Sequence, residues 1–129
     1  MKDGLLKFGV TLTILGAFGA STQAQSREIR SVKEIKTLYH AKASGNDFFN
    51  RRLRENIQNS GVQFVNSRQK ADGILESKGN WIGKGFAGEM LIKSRQGKII
   101  WRESSRRSGN SNKMAFEQLG DKFRAARKR

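Results

Sequence analysis

GFAGEMLIKSRQGKIIWRESS, residues 85 to 105, is the stretch on which the fold turns. Phe86, Gly88, Met90 and Ile92 alternate with Ala87, Glu89, Leu91 and Lys93, the period of two that sends successive side chains to opposite faces of a strand. Ser94-Arg95-Gln96-Gly97 is a turn. Lys98 to Ser105 then reads as another strand, with Ile99 and Trp101 on one face and Ile100, Arg102 and Ser104 on the other. A lone hairpin is barely stable in water, so its apolar side must pack on another layer.

The sequence before the hairpin supplies the rest of the sheet and one helix. Ile35 to Ala41 is rich in strand formers and reads as the first strand. Ser44-Gly45-Asn46 breaks it and offers a helix cap. A helix is expected over Asp47 to Asn59, with Phe49, Leu53 and Ile57 in one stripe, Phe48 beside it and Gly61 as the stop. Val62 to Val65 is a short second strand, Gln69 to Asp72 a turn and Gly73 to Lys78 a third strand. Gly79 to Gly85 is glycine-dense and expected to be flexible.

Beyond Ser105 a polar loop leads to a last helix over Asn112 to Ala126. Phe116, Leu119, Phe123 and Ala126 share one face of it. Gly120 interrupts this helix at a cost of about 1 kcal/mol relative to alanine. The order β-α-β-β-β-β-α is an α+β plan: a mostly antiparallel sheet of about five strands with two helices packed on one face. The first strand-helix-strand unit sets two strands parallel. The other face of the sheet is left to water.

The leading residues have a different chemistry. Lys2 and Lys7 precede an uncharged apolar run, Phe8 to Ala20, and Ser21-Thr22-Gln23-Ala24 supplies small residues at a cut after Ala24. This is the pattern of a secretory signal peptide. The run is shorter than the roughly 20 residues a bilayer span requires, which favours a removed address over a permanent membrane anchor. The expected organisation is a signal over 1–24, a loose lead-in over 25–33 and one α+β domain over 34–129. The exported product would work in the periplasm or outside the cell.

The chain has no cysteine, which excludes disulfides, thiolate metal sites and a lipid-acceptor thiol. It carries 26 basic against 11 acidic residues. Without Lys2, Lys7 and Asp3 the remainder keeps 24 against 10, a surplus of 14. Such a field recruits anions, whether nucleic acid, acidic polysaccharide or phosphate-bearing surfaces, and it also serves plain solubility. The candidate anion-binding residues are Arg95, Lys98, Arg102, Arg106 and Arg107 around the last strand, and Lys122, Arg124, Arg127, Lys128 and Arg129 on the last helix. Trp81 is the candidate exposed ring for stacking. Cations at a helix C-terminus also complement its dipole, which accounts for the tail without any ligand. Arg51, Arg52 and Arg54 make a further basic group on the first helix.

Catalytic signals are weak. Gly83-Lys84-Gly85-Phe86-Ala87-Gly88 matches G-x-G-x-x-G, but a strand-like stretch follows where a dinucleotide site needs a helix, so a glycine-rich hairpin is the better reading. His40 is the only histidine and cannot by itself build a histidine metal site. A ribonuclease-like set of His40 as acid, Glu89 or Glu103 as base and Arg102 is arithmetically available. Asp47, Asp72 and Asp121 are scattered and form no carboxylate metal cluster. No catalytic residue, metal or cofactor is expected.

Leu53 to Ile57, then Gly61 to Val65, then Lys70-Ala71-Asp72-Gly73-Ile74-Leu75 resembles a helix, short strand and Ala-Asp turn pattern. Met90-Leu91-Ile92 through Gly97-Lys98-Ile99-Ile100-Trp101 resembles its hairpin. Together they resemble the uncharacterised small secreted or periplasmic α/β domains of bacterial envelope proteins. These are similar in plan to the amino-terminal domain of the Tol-system propeller protein and to curli-secretion lipoprotein domains. The resemblance implies that Ala71-Asp72 marks a turn into a central strand and implies no catalytic residue. Ser94-Arg95 stands here where an acidic turn residue is common, and the anchoring cysteine is missing. The expectation is a non-enzymatic exported envelope domain that binds a protein partner or an anionic surface. The alternative is a secreted nucleic-acid-binding protein or small ribonuclease-like enzyme.

Overall fold

The computed structural model describes residues 28–107 and 113–129. The signal expected over 1–24, with its cut after Ala24, lies outside the described residues. So do the first residues of the lead-in and the polar loop at 108–112. Among the described residues, five strands and two α-helices follow in order: β1 (Thr37–Gly45), α1 (Asp47–Asn59), β2 (Gln63–Phe64), β3 (Gly73–Ile82), β4 (Gly85–Ser94), β5 (Ile99–Arg107) and α2 (Ala115–Lys128). The sheet order is β2-β1-β3-β4-β5, with both helices on one face. The α+β plan and its element order are those expected from the pattern.

The sheet is mixed rather than mostly antiparallel. β1 pairs in parallel with both β2 and β3, while β3–β4 and β4–β5 are antiparallel. Alternation reports which face a side chain takes but carries no information about strand direction. Direction is set here by Asp72. Its carboxylate accepts the backbone N–H groups of Lys36 and Thr37 at 2.8 and 3.1 Å, pinning the start of β3 beside the start of β1. Thr37 Oγ1 accepts the Asp72 N–H in return. The Ala71-Asp72 pair thus introduces the central strand of five.

A second difference lies in the segment read as flexible. Residues 79 to 82 complete β3, and Gly83-Lys84 is a two-residue turn into β4, with Gly83 at a φ of 60°. A turn this tight needs positive φ, which glycine tolerates. Gly79 and Gly88 face each other across the pair and form a floor for the Phe49 ring. The apparent nucleotide motif is therefore a hairpin.

A third difference is a β-bulge. Ile92 pairs with Trp101 and Lys93 with Ile99, so Ile100 is the extra residue. The bulge reverses the alternation, so Ile99 and Trp101 do not share a face. Trp101 packs edge-on against Phe123 beneath the sheet, at 5.7 Å between ring centres, while Ile99 is 48% exposed.

The core lies between sheet and helices. Leu38, Leu75, Met90 and Ile92 from the strands meet Phe49, Leu53 and Ile57 of α1 and Phe116, Leu119 and Phe123 of α2. Gly120 explains itself at the helix crossing, because a Cβ there would come within 2.9 Å of the Asn56 Cβ. The glycine that weakens α2 locally lets α1 approach. Within the expected lead-in, Ile29 and Val32 are buried in the core. The polar residues around them mask that pair in the sequence.

Candidate binding site

The aromatic residues converge at the end of the sheet where the β3–β4 hairpin turns and both helices begin. Asn46 caps α1 by accepting the Phe49 N–H at 2.9 Å, which fixes Phe48 on the outer side and Phe49 on the inner. Glu117 accepts the Met114 N–H at 2.9 Å and holds the start of α2. Trp81 on β3 stands opposite Phe86 on β4, their rings edge-to-face at 5.2 Å. Phe48 meets Phe116 edge-to-face at 5.8 Å. Between them is a groove of about 110 Å³ lined by Phe48, Trp81, Phe86, Met114 and Phe116. Trp81 is 62% exposed and Phe48 47%.

Arginines frame this groove. The Arg51 guanidinium lies 5.5 Å from the centre of the Phe48 ring, and that of Arg52 lies 5.4 Å from Phe116. Cations over aromatic faces hold the rings and present N–H donors beside them. Arg52 also pairs with Glu55 at 2.9 Å. Of the expected site residues only Trp81 belongs here. Phe48, Phe116, Arg51 and Arg52 join it only through folding, because the helical stripe marks Phe116 simply as core.

The remaining expected residues do not form one surface. Arg102 and Arg106 are exposed on the sheet face away from the helices. Lys98 sits in the β4–β5 connection, and Arg95 there donates to the Gln69 carbonyl at 2.9 Å. Arg107 ends β5, with its side chain outside the described part. On α2, Lys122 donates to the Ser104 carbonyl and Arg124 pairs with Asp121 at 2.5 Å. Hydrogen bonds from Lys113, and then from Arg124, hold the Asp121 carboxyl below its usual range. Lys128 and Arg129 are exposed at the end of the chain.

Arg127 is structural. Its guanidinium donates to the Val32 and Ile35 carbonyls at 3.1 and 2.5 Å, tying α2 to the start of the domain. Arg127→Ala is expected to lower unfolding stability by about 1.5 kcal/mol, the scale of charged hydrogen bonds to backbone. Urea denaturation checks this, and an unchanged midpoint would remove the assignment.

His40 lies in a separate polar chain under the sheet. The Arg54 guanidinium donates to His40 Nδ1 at 3.2 Å. Nε2–H then donates to Ser77 Oγ at 2.8 Å, Ser77 donates to Asn50 Oδ1 at 2.6 Å, and Asn50 Nδ2 donates to the Ser44 and Asn46 carbonyls. Desolvation and then Arg54 lower the His40 pKa to about 4. The Ser77 proton is committed to Asn50, so His40 is no base for it. Glu89 points to the opposite face of the sheet, and Glu103 lies on β5, three strands from β1 or roughly 14 Å. The ribonuclease-like set is therefore not assembled. Among the described residues no acidic or histidine cluster could hold a metal ion, and no helix is long and apolar enough to cross a membrane.

No protein-family model matches the sequence, and no curated protein matches it. Solved structures do share its fold. A PelC dodecamer from Paraburkholderia phytofirmans is similar at 11% identity, with a TM-score of 0.50 over 78% of this chain and 90% of that one. The LpoB C-terminal domain from Salmonella enterica is similar at 17% identity and a TM-score of 0.44, over 68% of this chain and 91% of that one. Lipoprotein GNA1162 from Neisseria meningitidis gives 14% identity and a TM-score of 0.45, over 70% and 92%. The α/β fold expected from the resemblance is the one this chain shares with the PelC structure.

Proposed function

We propose that this chain is an exported, non-enzymatic domain of the bacterial envelope that binds an acidic polysaccharide at the aromatic groove. The observation that carries the reading is the pair of exposed rings, Trp81 and Phe48, with Arg51 and Arg52 set against the adjoining aromatic faces. Sugar rings stack on indole and phenyl faces, and guanidinium groups hold carboxylate or sulfate in the plane. The large positive surplus adds long-range attraction. Export rests on the leader, and loss of residues 1–24 would give a product starting at Gln25.

Isothermal titration calorimetry with heparin, and with neutral dextran as control, tests the groove. Heparin is expected to bind with an affinity that falls steeply with salt, and dextran not to bind. Trp81→Ala is expected to weaken heparin binding by about tenfold, within the range that ring stacking supports. Arg51→Ala with Arg52→Ala should weaken it comparably. Heparin affinity indifferent to all three substitutions would overturn the groove. Fractionation of the host with intact-mass measurement tests export, and a cytosolic product starting at Met1 would overturn that part.

A further inference from the structure

β5 is the terminal strand of the sheet, and its outer side is not paired by another strand among the described residues. The register shows which backbone groups face outward. The Ser94 N–H donates across to the Lys98 carbonyl at 2.8 Å, and antiparallel pairs alternate between bonded and non-bonded. Met90–Glu103 and Gly88–Ser105 are thus bonded pairs, while Leu91–Arg102, Glu89–Ser104 and Ala87–Arg106 are not. Arg102, Ser104 and Arg106 therefore direct their backbone N–H and C=O away from β4.

The groups around Ser104 agree with this. Its N–H donates to the Glu103 carboxylate at 3.3 Å, and its carbonyl accepts from Lys122 at 2.8 Å. Glu103 and Lys122 stand 3.5 Å apart and are both part-exposed. The two side chains occupy the middle of the edge as stand-ins for a neighbouring strand. Charged guards of this kind restrain indiscriminate pairing. A concavity of about 510 Å³ lies beside them, lined in part by Ser104, Arg106, Gln118 and Lys122.

We propose that the β5 edge is a docking site for an extended acidic segment of a partner protein, added as a sixth strand. Charge chooses the occupant. Arg102 and Arg106 point to the open face four residues apart, so carboxylates four apart on an incoming strand would stand opposite both. A second copy of this chain pairing its own β5 antiparallel about Ser104 would set Arg102 against Arg106 twice, a like-charge arrangement that disfavours it. The partner's backbone carbonyl would take the Ser104 N–H from Glu103, and its N–H would take the Ser104 carbonyl from Lys122. This site is independent of the aromatic groove.

Lys122→Ala gives the decisive sign. Under strand addition it removes a guard, and a labelled Thr/Val peptide carrying Glu at two positions four apart should bind the full chain about threefold tighter, the size of one exposed ion pair. Arg102→Glu with Arg106→Glu should weaken that binding by about tenfold, as reversed charge opposite carboxylates requires. The same peptide N-methylated at its pairing amides should bind at least about tenfold more weakly, because the ladder bonds are lost while the charge remains. Plain polyanion attraction has the opposite outcome: Lys122→Ala weakens binding and N-methylation leaves it unchanged. Either of those results, unchanged affinity in Lys122→Ala, or absence of peptide binding, would overturn the proposal.

Discussion

Gly88→Ala is expected to lower unfolding stability by about 3 kcal/mol, near the upper end for forced overpacking. For a domain of this size that is a fall in Tm of roughly 15 °C. A Cβ at Gly88 would lie 2.5 Å from Phe49 Cε1 and 2.7 Å from Cζ, well inside contact distance. Phe49 cannot yield. It is 1% exposed and its ring is also packed on Phe86 at 5.4 Å. The partner glycine behaves alike, since a Cβ at Gly79 would lie 2.4 Å from Phe49 Cδ2. Phe49→Leu in the Gly88→Ala background should recover part of the loss, although Phe49→Leu alone destabilises. Such coupling is the signature of two residues sharing one space. Urea denaturation of the four proteins measures it, and additive losses would show that the seat is not the cause.

Acidification should unfold the chain partly through His40. The group is about 6.5 when unfolded and about 4 in the fold. Its neutral form is the one that accepts from Arg54 at Nδ1. A depressed folded pKa contributes stability that is present above 6.5 and is lost as pH falls toward 4, because the unfolded chain takes up the proton first. The loss should reach about 2 kcal/mol after allowance for solvent screening on the open side of the ring. His40→Gln removes this component, so its stability should fall less between pH 7 and pH 4.5 than that of the unsubstituted chain. Urea midpoints at both pH values check the difference, and an imidazole NMR titration near 6.5 in the folded state would contradict it.

The parts of the fold legible in the sequence were those governed by local period. The stripe of Phe49, Leu53 and Ile57 located α1 to the residue, and the alternation from Phe86 to Ile92 located β4, because both report burial on one side of a regular element. Val62 to Val65 contracted to Gln63–Phe64, since short apolar runs do not reveal how much partner strand lies beside them. The last helix began later and ended later than its pattern, at Ala115–Lys128, with its start held by Glu117. Trp81 was legible as an exposed ring by its setting among glycines. Its neighbours Phe48 and Phe116 were not, being more than 30 residues away along the chain with no shared period. The basic residues looked like one set by density, yet hydrogen bonds and ion pairs engage several of them within the fold. Charge count carries no record of which guanidinium groups are already occupied.

By itself the sequence determined an α+β chain of five strands and two helices, strongly basic and free of cysteine, with a helix-facing apolar side. Each of these follows from composition or from a period within a single element. Tertiary structure alone decided the parallel direction of β1 and β3, the bulge at Ile100, the close helix approach at Gly120 and the meeting of Phe48, Trp81 and Phe116. The reason is physical: each depends on what stands across from a residue in space, through a backbone hydrogen bond, a missing Cβ or a ring contact, and no window along the chain contains both partners.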